Sequence, residues 1–151
     1  MKKDASKKRK RRGWLIPVGI ICLLALFCLV MIAADAPARR EIVEMQIEQI
    51  DFDNLKDGLY LGEFTGSKSS QRDVALEVTV QDGAVSSITI LHGALDQEGN
   101  PTELNSGISA QDFLQSALKA QSLQIDAVSG ATLTSKTLLK ALENALEQAQ
   151  K

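Results

Sequence analysis

One ten-residue stretch gathers the side chains best suited to chemistry: Asp126-Ala127-Val128-Ser129-Gly130-Ala131-Thr132-Leu133-Thr134-Ser135. The hydroxyls of Ser129, Thr132, Thr134 and Ser135 crowd together there, with the Asp126 carboxylate ahead of them. Gly130 permits a positive φ and close backbone approach, and Ala131 leaves space over the loop. A strongly periodic apolar segment follows, so the loop is expected to feed a helix beginning near Ser135. The first N–H groups of a helix lack intrahelical partners and carry the positive end of the dipole. Such a place binds phosphate, and a hydroxyl beside it offers a point of esterification. The plainer alternative is a turn followed by an N-cap, where Ser and Thr are common. Lys136 bears on the choice, because a cation in the first turn is unfavourable unless an anion sits beside it.

Other candidates are fewer. His92 is the sole histidine and titrates nearest neutrality, so it could move protons; a lone histidine at a strand end is more often a polar loop residue. Glu41, Glu44 and Glu48 read as a solvated helix face. No His-rich, Cys-rich or tight carboxylate constellation suggests a metal site. The two cysteines, Cys22 and Cys28, both lie in an apolar run. Disulfides, iron–sulfur clusters and thiolate zinc sites are thereby excluded from the rest of the chain.

The elements that must position the loop are legible in outline. Asp57-Gly58 signals a turn, and Leu59 to Phe64 reads as a short strand. Val74, Leu76, Val78 and Val80 alternate with Ala75, Glu77 and Thr79, and Gln81-Asp82-Gly83 leads back into a strand from Val85 to Leu91. This is a hairpin of the Asp-Gly kind. A loop spans His92 to Gly107. Ser109 then reads as an N-cap with Asp112 completing a capping-box-like pattern, opening a helix with Phe113, Leu114, Ala117 and Leu118 on one face. The last helix carries Leu138, Leu139, Leu142, Ala145 and Leu146. Strands followed by helices predict an α+β fold, a small antiparallel sheet packed with helices.

Ahead of this lies an uncharged apolar span from Trp14 to Ala34, the length needed to cross a bilayer as a helix. Eight of the 17 Lys and Arg fall in the first twelve residues, leaving nine for the remainder against 18 of the 19 acids. Basic residues before the span predict a cytoplasmic N-terminus and an extracytoplasmic C-terminal domain, with Trp14 as interfacial anchor. An acidic folded part argues against nucleic-acid binding. A cleaved signal peptide is the competing reading; the apolar run exceeds the usual signal core, and retention as a single membrane span is expected. The expected organisation is a basic tail at 1–13, an anchor at 14–34, a juxtamembrane helix or linker at 35–50 and a folded domain at 51–151. Pro37 is expected to break the chain outside the membrane, and Arg39 to Ile50 to form a helix with Val43, Ile47 and Ile50 on one face.

Asp126-x-x-Ser129-Gly130-Ala131-Thr132 resembles the flavinylation motif of the FMN-binding domain family, which includes the covalent-flavin subunits of sodium-pumping NADH:quinone reductases and of Rnf complexes. The likeness extends to Asp57-Gly58-x-Tyr60-x-Gly62, to Val78-Thr79-Val80-x-Asp82-Gly83-x-Val85 and to Gln121-Ser122, covering the chain from about Ile50 onward. The resemblance implies FMN held by a phosphoester to the Thr132 oxygen, attached by a separate flavin transferase that uses FAD and Mg²⁺. It implies that Asp126 helps the transferase recognise or activate the hydroxyl, and that Ser129, Gly130 and Ala131 shape the loop. Thr134 and Ser135 would offer hydroxyl or backbone donors to the phosphate, with Thr134 the rival acceptor. The loop from His92 to Gly107 departs from larger relatives in lacking an aromatic to stack on the flavin. Only Phe52, Tyr60, Phe64 and Phe113 are at hand beyond the span, so the ring is expected to be exposed or stacked on a partner. That suits an electron carrier, working with redox proteins or quinone-linked donors, better than a stand-alone enzyme. Two other readings stay open: a non-redox membrane-tethered binding or regulatory module, and a flavin-bearing partner of a separate reductase subunit.

Overall fold

The computed structural model describes residues 7–53, 55–105 and 107–150, with side chains from residue 16 onward. The start of the basic tail and the Trp14 side chain therefore lie outside the described residues. The chain forms two compact units, Met1–Pro37 and Ala38–Lys151. Helix α1 (Lys7–Glu44) supplies the first and enters the second. From Ile16 it is long and apolar enough to cross a membrane, and Ile20, Leu23, Phe27 and Val30 stand exposed along it.

Two expectations for this region are corrected. Pro37 does not break the chain, since α1 runs through it. Proline removes one N–H, and Ala33, Ala34, Ala36 and Ala38 around it are strong helix formers that sustain the neighbouring turns. The helix then ends at Glu44 rather than Ile50. Residues beyond that point give their backbone groups to the folded domain. Lys136 Nζ donates to the carbonyls of Val43 (2.5 Å) and Met45 (3.1 Å), Gln124 Nε2 to Ile47, and the Glu48 N–H reaches Glu143. These partners replace the helical ladder, and Ile42 and Ile50 are buried while Val43 is exposed. Lys136 is thus explained without an anion, as a cation set against the last carbonyls of α1.

The second unit is α+β. Strands β1 (Gly58–Phe64), β2 (Val74–Gln81) and β3 (Ala84–His92) form an antiparallel sheet in the order β1-β2-β3. Val74, Leu76, Val78 and Val80 of β2 point inward, and the intervening residues outward. Gln81 pairs with Ala84 across a two-residue turn in which Asp82 and Gly83 both have positive φ, the geometry that matches strand twist. Asp57 Oδ1 accepts the Gly83 N–H and Leu55 donates to the Gly83 carbonyl, tying the turn to the segment before β1.

A short second sheet pairs β4 (Glu103–Asn105), inside the stretch expected to be loop, with β5 (Ile108–Ser109) just after it. Helix α2 (Ala110–Ala120) starts at Ser109 with the capping box complete in both directions. The Asp112 carboxyl is held below its ordinary range, first by the Ser109 hydroxyl and then by the Ser109 backbone. A lowered value in the fold means stability that is present above the usual carboxylate range and lost as pH falls through the lowered one. Ser109→Ala is expected to destabilise the domain by about 1 kcal/mol and to flatten its acid-side loss. Thermal unfolding by circular dichroism from neutral to acid pH checks both.

Helix α3 (Thr132–Ala149) lies across the sheet, burying Leu138, Leu142, Ala145 and Leu146 completely. Its Asn144 and Gln148 amides donate to the carbonyls of Glu63 and Leu61. They satisfy the carbonyls on the edge of β1 that faces away from β2, an edge otherwise open to pairing. A rigid sheet–helix layer therefore fixes where α3 begins, and α3 begins at the chemically interesting loop.

Candidate functional site

Helix α3 starts at Thr132, earlier than the expected Ser135. The Ser135 N–H bonding to the Ala131 carbonyl at 2.9 Å is its first rung, and the Ala131 N–H closes a turn onto Val128. Gly130 lies within that turn at φ 82°, where a side chain would be strained. Thr132 is accordingly the first helical residue, and it is exposed.

The loop is held from several directions. The buried Ser135 hydroxyl accepts the Val128 N–H at 3.1 Å, and Asn105 Nδ2 donates to the Ser129 carbonyl at 2.7 Å. Ser135 thus faces inward and serves the loop. What the helix start does not have is a side-chain cap. Ala131 occupies the N-cap position and makes no side-chain hydrogen bond, forgoing roughly 1 kcal/mol that Ser, Thr or Asp would contribute. The N–H groups of Thr132, Leu133 and Thr134 precede the first intrahelical rung.

A cavity of about 380 Å³ opens on this helix start, lined by Gly130, Ala131, Thr132, Leu133 and Thr134 together with Arg39 and Arg72. Arg39 comes from the last turns of α1, and Arg72 from the short 3-10 helix Ser70–Arg72 between β1 and β2. A second cavity of about 320 Å³ shares Arg72, Gly130, Ala131 and Thr134 and extends to Gly93, Ala94 and Thr102. Gly93 is required there, because a Cβ would strike the Asp73 backbone and its φ is 70°. Two arginines and a helix start without a side-chain cap thus border a space suited to a phosphate dianion.

Among the residues singled out from sequence, Gly130, Ala131, Thr132 and Thr134 line the Thr132 cavity. Asp126 and Ser129 line a different one, of about 560 Å³, with Val128, Phe113 and Ile108. Asp126 is exposed. His92, exposed at the end of β3, lines neither. Among the described residues no aromatic lines either cavity at the helix start; Phe52, Phe64 and Phe113 are buried, and the Tyr60 hydroxyl donates to the Lys56 carbonyl.

Sequence reasoning missed Arg39, Arg72 and Asn105, which only the fold brings to the loop. It also missed a carboxylate constellation: oxygens of Glu48, Glu143 and Glu147 lie within 4.8 Å of one another. The expected solvated face of Glu41, Glu44 and Glu48 is corrected in part, because Glu41 accepts the Ser67 N–H at 2.9 Å and Glu48 lies beyond the helix.

The chain is 31% identical over 96 residues to an uncharacterized protein of Treponema pallidum (strain Nichols), covering 64% of this chain and 24% of that protein. The match thus spans about a quarter of the relative's length. No solved structure matches. A family model described as FMN-binding domain matches residues 70–147, from the 3-10 helix through the hairpin and the Thr132 loop into α3. With more than half of its length matched, this chain belongs to the FMN-binding domain family.

Proposed function

We propose that the protein is a membrane-anchored, extracytoplasmic carrier of covalently bound FMN, with the flavin phosphate esterified to the Thr132 hydroxyl. The observation that carries this reading is the exposed Thr132 at the start of a helix with no side-chain cap, in a cavity shared with Arg39 and Arg72. A phosphate there would meet the free N–H groups of the first turn and two guanidinium groups. Gly130 leaves the approach open: a Cβ on it would meet nothing nearer than Asn105 Nδ2 at 3.7 Å.

Thr132 would be the nucleophile of a reaction run by a separate flavin transferase. Its Oγ forms the bond to the FMN phosphorus of FAD, the pyrophosphate bond breaks, AMP leaves and the hydroxyl proton passes to the transferase. Asp126, exposed on the neighbouring cavity, is available for that enzyme to engage. Ser129 and Gly130 shape the turn, Ser135 and Asn105 hold it, and Thr134 borders the phosphate space. FMN so held supplies one- and two-electron transfer. The chain's own part is to bind, orient and tether it, and cavities at the helix start that no aromatic lines among the described residues favour exchange with redox proteins or quinone-linked donors over an enclosed substrate.

The placement follows from charge. The basic tail at 1–13 stays in the cytoplasm, residues 14–34 cross the membrane and the domain at 51–151 lies outside. A covalent link then keeps the cofactor where a dissociated one would be lost.

Full-length protein produced together with an active flavin transferase is expected to be yellow, to stay yellow after denaturation, and to gain the mass of one FMN-phosphoryl group on a peptide containing Thr132. An unmodified chain under those conditions would defeat the proposal.

A further inference from the structure

Glu143 is the one buried acid among the described residues, with no exposed surface on α3. Its Oε1 is well served, accepting from Lys140 Nζ at 2.9 Å and from the Glu48 backbone N–H at 3.1 Å. Its Oε2 is buried and has no hydrogen-bond partner. A carboxylate oxygen shut away from water and left unpaired is costly. Two more acids each bring a carboxylate oxygen within 4.8 Å of one belonging to Glu143: Glu147 one turn along α3, and Glu48 from the segment that follows α1. Among the described residues the one cation paired with these three carboxylates is Lys140, on Glu143, which leaves an excess of negative charge around a buried group.

The geometry points to a Ca²⁺ site formed by Glu48, Glu143 and Glu147. The donor set is all carboxylate oxygen, which suits a hard cation and offers nothing to zinc or copper. Ligand oxygens lie within 4.8 Å of one another. That spacing lets all three reach one hard cation, and Ca²⁺ is the choice because it takes a flexible set of protein carboxylates, whereas Mg²⁺ keeps several of its waters and is seldom held by protein ligands alone. A cation here gives Glu143 Oε2 its missing partner and relieves the repulsion, while Lys140 keeps Oε1. The remaining coordination positions face solvent through the exposed Glu48 and Glu147.

The site joins two parts of the domain distant in sequence. Glu48 lies between Ile47, whose carbonyl receives Gln124 Nε2, and the buried Ile50. Ca²⁺ therefore fastens residues 45–50 to α3, the helix that begins at Thr132. The inference is independent of the flavin proposal, because it uses none of that site's residues.

The test uses the full-length chain, unflavinylated, metal-stripped and held in a neutral detergent. Isothermal titration with CaCl₂ is expected to show one ion per chain, with affinity of the order of 10⁻⁴–10⁻³ M typical of extracellular sites, and Ca²⁺ is expected to raise the unfolding temperature more than Mg²⁺. Glu147→Gln and Glu48→Gln alter exposed side chains and leave the fold in place; each is expected to weaken binding at least about tenfold. Hydrogen exchange at Ile47 to Ile50 should quicken when a chelator is added to the wild type and not in Glu147→Gln. Absence of Ca²⁺ binding by the wild type, or binding unchanged in both variants, overturns the site; equal stabilisation by Mg²⁺ overturns the choice of ion.

Discussion

Thr132→Ala is expected to abolish flavin incorporation completely, while Thr132→Ser and Thr134→Ala remain yellow. The asymmetry follows from where α3 begins. Thr132 is its first residue and exposed, whereas Thr134 is half-buried with its carbonyl receiving the Thr137 hydroxyl. A transferase approaching from solvent reaches Thr132 first. Serine keeps the nucleophilic oxygen and loses only a methyl group, so a slower but complete reaction is expected. Arg72→Gln tests the surrounding charge: losing one charge-assisted contact to the phosphate should slow incorporation by about tenfold without preventing it. Intact-protein mass spectrometry over a time course of co-production reads all four. Incorporation into Thr132→Ala, or its loss in Thr134→Ala, would move the acceptor to Thr134.

How far the sequence foretold this site depends on how local each feature is. The β2–β3 hairpin was legible because strict alternation and Asp82-Gly83 specify the same register. The capping box was legible because Ser109 and Asp112 satisfy each other within one turn. The end of α1 was not, since Val43, Ile47 and Ile50 keep a helical period that side chains from α3 and the segment before it override. The start of α3 was misplaced by a few residues: Thr132 and Thr134 are weak helix formers, and the early start depends on the turn closed between Val128 and Ala131. Arg39, Arg72 and Asn105 could not have been read at all, because α1, the 3-10 helix and β4 are brought to the loop only by the fold. The loop motif carries the family resemblance, and the arginines beside it come from tertiary structure.

Gly62 is expected to be among the least replaceable residues of the domain, with Gly62→Val costing about 3 kcal/mol or more. It sits in β1 directly under α3. A Cβ there would overlap the Ala141 carbonyl oxygen and stand 2.7 Å from the Ala145 Cβ. Sheet and helix approach this closely because the strand has no side chain at the crossing. The approach is what lets Asn144 and Gln148 reach the β1 carbonyls on either side. Even Gly62→Ala must push α3 outward, stretching both hydrogen bonds and opening the layer packed by Leu138, Leu142 and Leu146. Since the worst contact is with backbone oxygen, trimming the opposing side chain should not help. Ala145→Gly in the Gly62→Ala background removes one clash, leaves those with the Ala141 oxygen and the Ala145 nitrogen and adds about 1 kcal/mol of helix cost, so the double variant should be no more stable than the single one. Chemical denaturation followed by circular dichroism measures this on the full-length chain in detergent. Rescue by Ala145→Gly would mean that the two side chains, not the backbone, set the spacing. Because α3 also presents Thr132, the same displacement is expected to lower flavin incorporation in Gly62→Ala, linking the packing of the sheet to the chemistry at the helix start.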